Sequence, residues 1–119
     1  MHARVSHFHV VPSKLDEFLA AARAAIPHAR QQKGFRALLV LRDDAGKSST
    51  NVRVISIWNS MEDLQAAEQN FYLYQALAKV MSASKGFPLI ENQEVLFADL
   101  GGARASSGGP AAAADETQF

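Results

Sequence analysis

Two histidines, His7 and His9, flank Phe8 in a run that reads as an extended strand, Arg4-Val5-Ser6-His7-Phe8-His9-Val10-Val11. Imidazole exchanges a proton near neutral pH, so either histidine could draw a proton from a weakly acidic substrate. Alternation sets both on one strand face with Val5 and Val11, where a histidine also serves as a hydrogen-bonded structural residue. Two-residue spacing on a strand could hold a metal ion. No third His or acidic ligand accompanies the pair and cysteine is absent, so no metal site is expected. The only tryptophan, Trp58, ends a second extended run just before Asn59-Ser60-Met61-Glu62-Asp63, which has the character of a helix start. It is either a plug filling core volume or the wall of a ligand pocket. Phe71, Tyr72 and Tyr74 could supply further walls, although Tyr72 and Tyr74 lie on different helical flanks and only one would face a pocket. Arg53 could add polarity there, or simply meet solvent or Glu94 on a neighbouring strand.

Positioning these side chains requires a scaffold, and the chain parses into one. The first strand spans residues 4–11 and is ended by Pro12. Ser13 with Asp16 three residues on has the spacing of a capping box. Leu15, Phe18, Leu19, Ala22, Ala25 and Ile26 then recur at helical spacing, and Pro27 is expected to kink or end that helix. After Gly34, residues 35–43 form a second strand; 43–49 make a polar loop, and 51–58 return as a third, antiparallel strand. Ser60 and Asp63 repeat the capping pattern ahead of a helical region over 61–84. Its main stripe is Leu64, Ala67, Phe71, Tyr74, Ala78 and Met81, with Leu73, Leu77 and Val80 on another flank, a pattern that suggests a break near Asn70. Gly86 and Pro88 close the region, and residues 89–98 form the fourth strand.

The order β-α-β-β-α-β is that of a ferredoxin-like α+β sandwich: a four-stranded antiparallel sheet with two helices on one face. Yet strand two shows apolar residues on both sides, Phe35, Ala37, Leu39 and Leu41 against Leu38 and Val40. Strand three does the same, with Ile55 and Ile57 against Val52, Val54 and Trp58. A one-sided antiparallel sheet normally carries polar residues on its open face. The second apolar face therefore predicts a homodimer joined sheet to sheet.

Charge and composition narrow the partners. Twelve basic and twelve acidic residues give a formal net charge of zero, which disfavours nucleic acid and anionic membranes. The first residues lack the apolar run of a signal peptide and no stretch reaches membrane-spanning length, so a cytoplasmic location is expected. Residues 1–100 read as one domain. Residues 101–119, GGARASSGGPAAAADETQF, read as a flexible tail too poor in apolar side chains to offset the cost of ordering.

Three segments together carry a family resemblance: Val11-Pro12-Ser13-Lys14-Leu15-Asp16-Glu17-Phe18, Gly34-Phe35-Arg36 and Trp58-Asn59-Ser60-Met61-Glu62-Asp63-Leu64. Over residues 4–98 the chain resembles the antibiotic biosynthesis monooxygenases, dimeric α+β barrels. The resemblance implies two sandwiches pairing their sheets, with a pocket in each protomer between its helices and its sheet. Some such proteins oxidise polycyclic phenols with dioxygen and no metal or cofactor; a haem-degrading branch uses a His on the second helix. The resemblance implies that Trp58 is a pocket residue and sets His7 about where the haem-degrading branch has a catalytic Asn. Leu77 occupies the haem-ligand position and Ala67 a position where many members carry His, so haem is not expected.

The combined expectation is a cofactor-independent monooxygenase or quinol oxidase acting on a phenol, hydroquinone or anthrone-like molecule. His7 and Trp58 are its expected catalytic residues, with His9, Arg53, Phe71, Tyr72 and Tyr74 binding substrate. A non-enzymatic small-molecule binder or structural dimer of the same fold is the alternative.

Overall fold

The computed structural model describes residues 1–43, 50–99 and 101. Most of the expected 43–49 loop and nearly all of the expected 101–119 tail lie outside these residues. The elements are β1 (His2–His9), a 3-10 turn (Pro12–Lys14), α1 (Leu15–Arg30), β2 (Phe35–Arg42), β3 (Asn51–Trp58), α2 (Met61–Glu68), α3 (Phe71–Ser82) and β4 (Leu89–Glu94). The four strands form one antiparallel sheet in the order β2-β3-β1-β4. This is the ferredoxin-like α+β sandwich, with the second helical region in two pieces. No helix among the described residues is long and apolar enough to cross a membrane.

Local chemistry accounts for the element boundaries. The Ser60 side chain accepts a hydrogen bond from the Asp63 amide at 3.1 Å, and Asn70 accepts one from the Leu73 amide at 3.0 Å. Each cap satisfies an amide that a helix start would otherwise leave bare. Asn70 thus divides the region into α2 and α3, as the two apolar flanks suggested.

Three local expectations are corrected. Ser13 caps nothing: Pro12 opens a 3-10 turn that leads directly into α1, and Lys14 stands at the N-cap without a side-chain bond. Pro27 does not end α1, which continues to Arg30 because Ala25 and Ala29, on either side of the proline, are both buried. The buried stripe of α3 is Leu73, Ala76 and Val80, whereas Phe71 and Tyr74 are exposed. Restarting the helix at Asn70 changed the face presented to the sheet.

Gly34, between α1 and β2, has φ +84°, and a Cβ there would stand 2.2 Å from the Asp63 carboxylate. Backbone conformation and the close approach of α2 both exclude a larger residue. The Asn59 amide also donates to the Gly34 carbonyl, tying this turn to the end of β3.

Register assigns every side chain to a face. His2 pairs with Trp58, Arg4 with Ser56, Ser6 with Val54 and Phe8 with Val52. Directly paired residues project to the same side of an antiparallel sheet. Phe8, Val52 and Trp58 belong to the core, so this is the helix-covered face. Phe35 joins it as well, because a bulge between Phe35 and Ala37 breaks the alternation and pairs Phe35 with Trp58. The strand-two pattern had set Phe35 with Ala37 on the other side.

The core has two buried clusters. Phe8, Val10, Phe18, Ala22, Val52, Val80 and Ala83 form one, in which Phe18 is 0% exposed and meets Phe8 edge to face at 5.2 Å. Ala25, Ala29, Trp58, Leu64, Ala67, Leu73 and Ala76 form the other.

Candidate functional site

Trp58 ends β3 beneath α2, among small side chains that leave room for its ring. Ala25, Ala29, Ala67 and Ala76 surround it with Leu64 and Leu73, and Phe35 meets it edge to face at 5.3 Å. It is only 3% exposed. Its indole N–H is the polar handle, donating to Ser56 Oγ at 3.1 Å on the same face of the same strand.

That bond leads into a polar strip on the covered face. Ser56 pairs across to Arg4, and Arg4 pairs onward to Asn92 of β4. The Arg4 Nε–H donates to Asn92 Oδ1 at 3.0 Å, while its Nη1 makes an ion pair with the Glu68 carboxylate at the end of α2. One step along the sheet lies Ser6, a buried polar residue paired with Val54 and Ile90. One step the other way lie His2 and Glu94. Burial pulls the Arg4 guanidinium below its ordinary value, since desolvation penalises the charged form. A guanidinium is so basic that Arg4 stays protonated at neutral pH.

Beyond this strip the helices stop covering the sheet. Ile90, Asn92 and Glu94 project to the helix side by their pairing with Ser6, Arg4 and His2, yet all three are exposed. The helix side of β4 is therefore an open strip among the described residues, and the Arg4–Glu68 pair lies at its border with the helix layer. The strip offers hydrogen-bonding groups and the Arg4 cation beside the apolar surface of Ile90.

The expected site residues are distributed differently. His7 and Arg53 pair across β1 and β3 on the opposite, helix-free face, and the parity of β1 puts His9 there too. Arg53 donates through Nε to His7 Nδ1 at 3.3 Å, leaving Nε2 to carry the proton toward Glu91 Oε1 at 2.8 Å. His7 and Trp58 are therefore separated by the sheet and cannot act on one molecule within a protomer. Phe71, Tyr72 and Tyr74 stand outward on α3, each more than 60% exposed, and Tyr72 stacks on His28 at 6.2 Å. Trp58 alone among the expected residues lies with the covered strip. Leu77 lies on α3 and Ala67 is buried on α2 against Trp58. No group of three or more His, Cys, Asp or Glu among the described residues is placed to hold a metal ion.

Arg4, Ser6, Ser56, Glu68 and Asn92 were missed. Period-two alternation backward from Trp58 and Phe8 reaches Ser56, Ser6 and Arg4, so a signal for three of them existed. Glu68 and Asn92 needed the packing of α2 and the pairing of β4.

A ferredoxin-like sandwich with a part-open seam between its helices and sheet defines the class. The family model for antibiotic biosynthesis monooxygenases matches residues 1–82, and the chain belongs to that family. Solved structures agree in architecture. A Caulobacter crescentus protein assigned to antibiotic biosynthesis monooxygenases superposes with a TM-score of 0.71 at 20% identity, covering 81% of this chain and 90% of that one. SnoaB, a cofactor-independent oxygenase from Streptomyces nogalater, gives 0.68 at 15% identity, covering 84% and 97%. A conserved protein from Methanosarcina mazei Go1 gives 0.70 at 13% identity, covering 78% and 90%. At such identities the likeness is one of fold. No curated protein matches the sequence.

Proposed function

We propose that this protein is a cofactor-independent oxidase or monooxygenase for a small electron-rich aromatic, a phenol, hydroquinone or anthrone-like molecule, and that it works as a homodimer. The observation that carries the proposal is the polar strip of Ser56, Arg4 and Asn92 beside Trp58, next to the open helix side of β4. Family membership supplies the reaction class.

The chemistry asks little of the protein. A hydroquinone loses two protons and two electrons to dioxygen, giving the quinone and hydrogen peroxide. An anthrone takes one oxygen atom at its methylene carbon and releases the other as water. The protein must bind the ring, assist its deprotonation and limit access of bulk water. His7 is not placed for this role at the covered strip, since it faces away from Trp58. Dimerisation is supported by the helix-free face, where Val5, Ala37, Leu39, Ile55 and Ile57 make an apolar field that no helix among the described residues covers.

Oxygen uptake with a panel of hydroquinones and anthrones tests the activity. Trp58→Phe should lower turnover while keeping the fold, and His7→Ala should leave turnover unchanged. Full activity in Trp58→Phe, or its loss in His7→Ala, would reject this placement. The burial of Trp58 at 3% exposure favours a second reading, a binder without turnover. Ligand binding with no oxygen uptake across the panel would establish it.

A further inference from the structure

We infer that Arg4 is an anion-recognising residue beside the open helix side of β4, that its ligand is a hydroxyaromatic held as the oxyanion, and that Glu68 is a resident counter-ion which this oxyanion displaces. The inference takes the ring chemistry of its ligand from the function proposed above and adds charge selectivity and a residue to carry it.

The placement of Glu68 is the first argument. It is the last residue of α2, where a carboxylate faces the negative end of the helix dipole. Such a position is unfavourable for a carboxylate, so helix stability does not account for a glutamate there. The carboxylate instead occupies Arg4, the cation of the polar strip on the helix-covered face of β1. The second argument is the mounting of Arg4. Asn92 Oδ1 accepts from Nε, a hold that remains when Glu68 leaves Nη1, so the guanidinium keeps its orientation toward an incoming ligand. A planar fork held in this way suits an oxyanion with a neighbouring carbonyl, the arrangement a hydroxyquinone or a deprotonated peri-hydroxy ketone presents.

The third argument is access. The Arg4 side chain is 19% exposed and that of Glu68 is 35% exposed, so the pair is neither sealed in the core nor free in solvent. Ile90, 49% exposed on the same side of β4, offers an apolar surface against which a flat ring could lie. A ligand entering from the β4 side meets Arg4 without displacing a buried side chain. It exchanges one carboxylate for another oxyanion, and the charge of the site is conserved.

Calorimetric titration of the full chain at neutral pH with two flat probes tests this. They are 2-hydroxy-1,4-naphthoquinone, an anion under these conditions, and 2-methyl-1,4-naphthoquinone, which is neutral. The wild type should bind the anion about tenfold more tightly, the scale of one charge-assisted contact. Arg4→Met should abolish that preference, Arg4→Lys should restore part of it, and Glu68→Gln should tighten the anion while leaving the neutral quinone unchanged. Far-UV circular dichroism establishes that each variant is folded, and Glu68→Gln provides a gain of affinity that misfolding cannot mimic. Equal affinities in the wild type, a preference surviving in Arg4→Met, weaker anion binding in Glu68→Gln, or no binding of either probe would overturn the inference. Oxygen uptake is read separately. Anion preference without turnover keeps the Arg4 site and removes the oxidase, whereas turnover without preference does the reverse.

Discussion

The two faces of the sheet come from the same four strands in alternation, yet they solve opposite problems. The covered face packs Phe8, Phe35, Val52 and Trp58 against the helices and turns polar across β3, β1 and β4, where Ser56, Arg4, Ser6 and Asn92 gather. The helix-free face is apolar over Val5, Ala37, Leu39, Ile55 and Ile57 and polar toward one end, where Arg53, His7 and Glu91 form a hydrogen-bonded row. Each face thus mixes an apolar field with a charged group. The difference lies in what stands opposite. Helices enclose the first arrangement far enough to partly desolvate a cation. No described residue from a helix stands over the second, so its charges lie nearer to solvent.

That contrast can be broken most forcefully at Trp58. Trp58→Ala should cost about 3–5 kcal/mol in urea unfolding, the usual range for emptying a large buried aromatic site. A loss below about 1 kcal/mol would mean that the ring fills little of the core. Next comes Gly34→Ala, expected to cost about 2 kcal/mol, because a Cβ at positive φ must also push Asp63 aside. Thermal unfolding of the variant measures it.

On the helix-free face the same kind of injury should act on association instead. Ile55→Lys should reduce the mass in sedimentation equilibrium to that of one chain, while shifting unfolding at fixed protomer concentration by about 1 kcal/mol. A wild-type protein that is monomeric at micromolar concentration would remove the basis for this distinction. The smallest effect belongs to α3: Phe71→Ala should change stability by less than about 0.5 kcal/mol, since the ring is 62% exposed. A much larger loss would show that Phe71 is covered in solution.

Much of the scaffold was legible in the residues. Asn70 was readable as a break because two apolar flanks met there, and the side-chain cap explains how one amide oxygen separates two helices. Of the two outcomes expected at Pro27, a kink or an end, the end did not occur, because the burial of Ala25 and Ala29 offsets proline's local cost. The site was less legible than the fold. His7 attracted attention by type, yet a catalytic residue type says nothing about which side of a sheet it occupies.

Alternation, capping residues and the apolar periods of strands and helices depend on neighbours a few positions apart. From them alone the sequence determined a βαββαβ chain, the start of α2, the division at Asn70 and an apolar second face. Which face the helices cover, and hence whether Trp58 meets His7 or Arg4, depends on pairings between β1, β3 and β4 that lie tens of residues apart in the chain. A strand's alternation is symmetric between its two sides, and only packing against the helices makes one of them the inside.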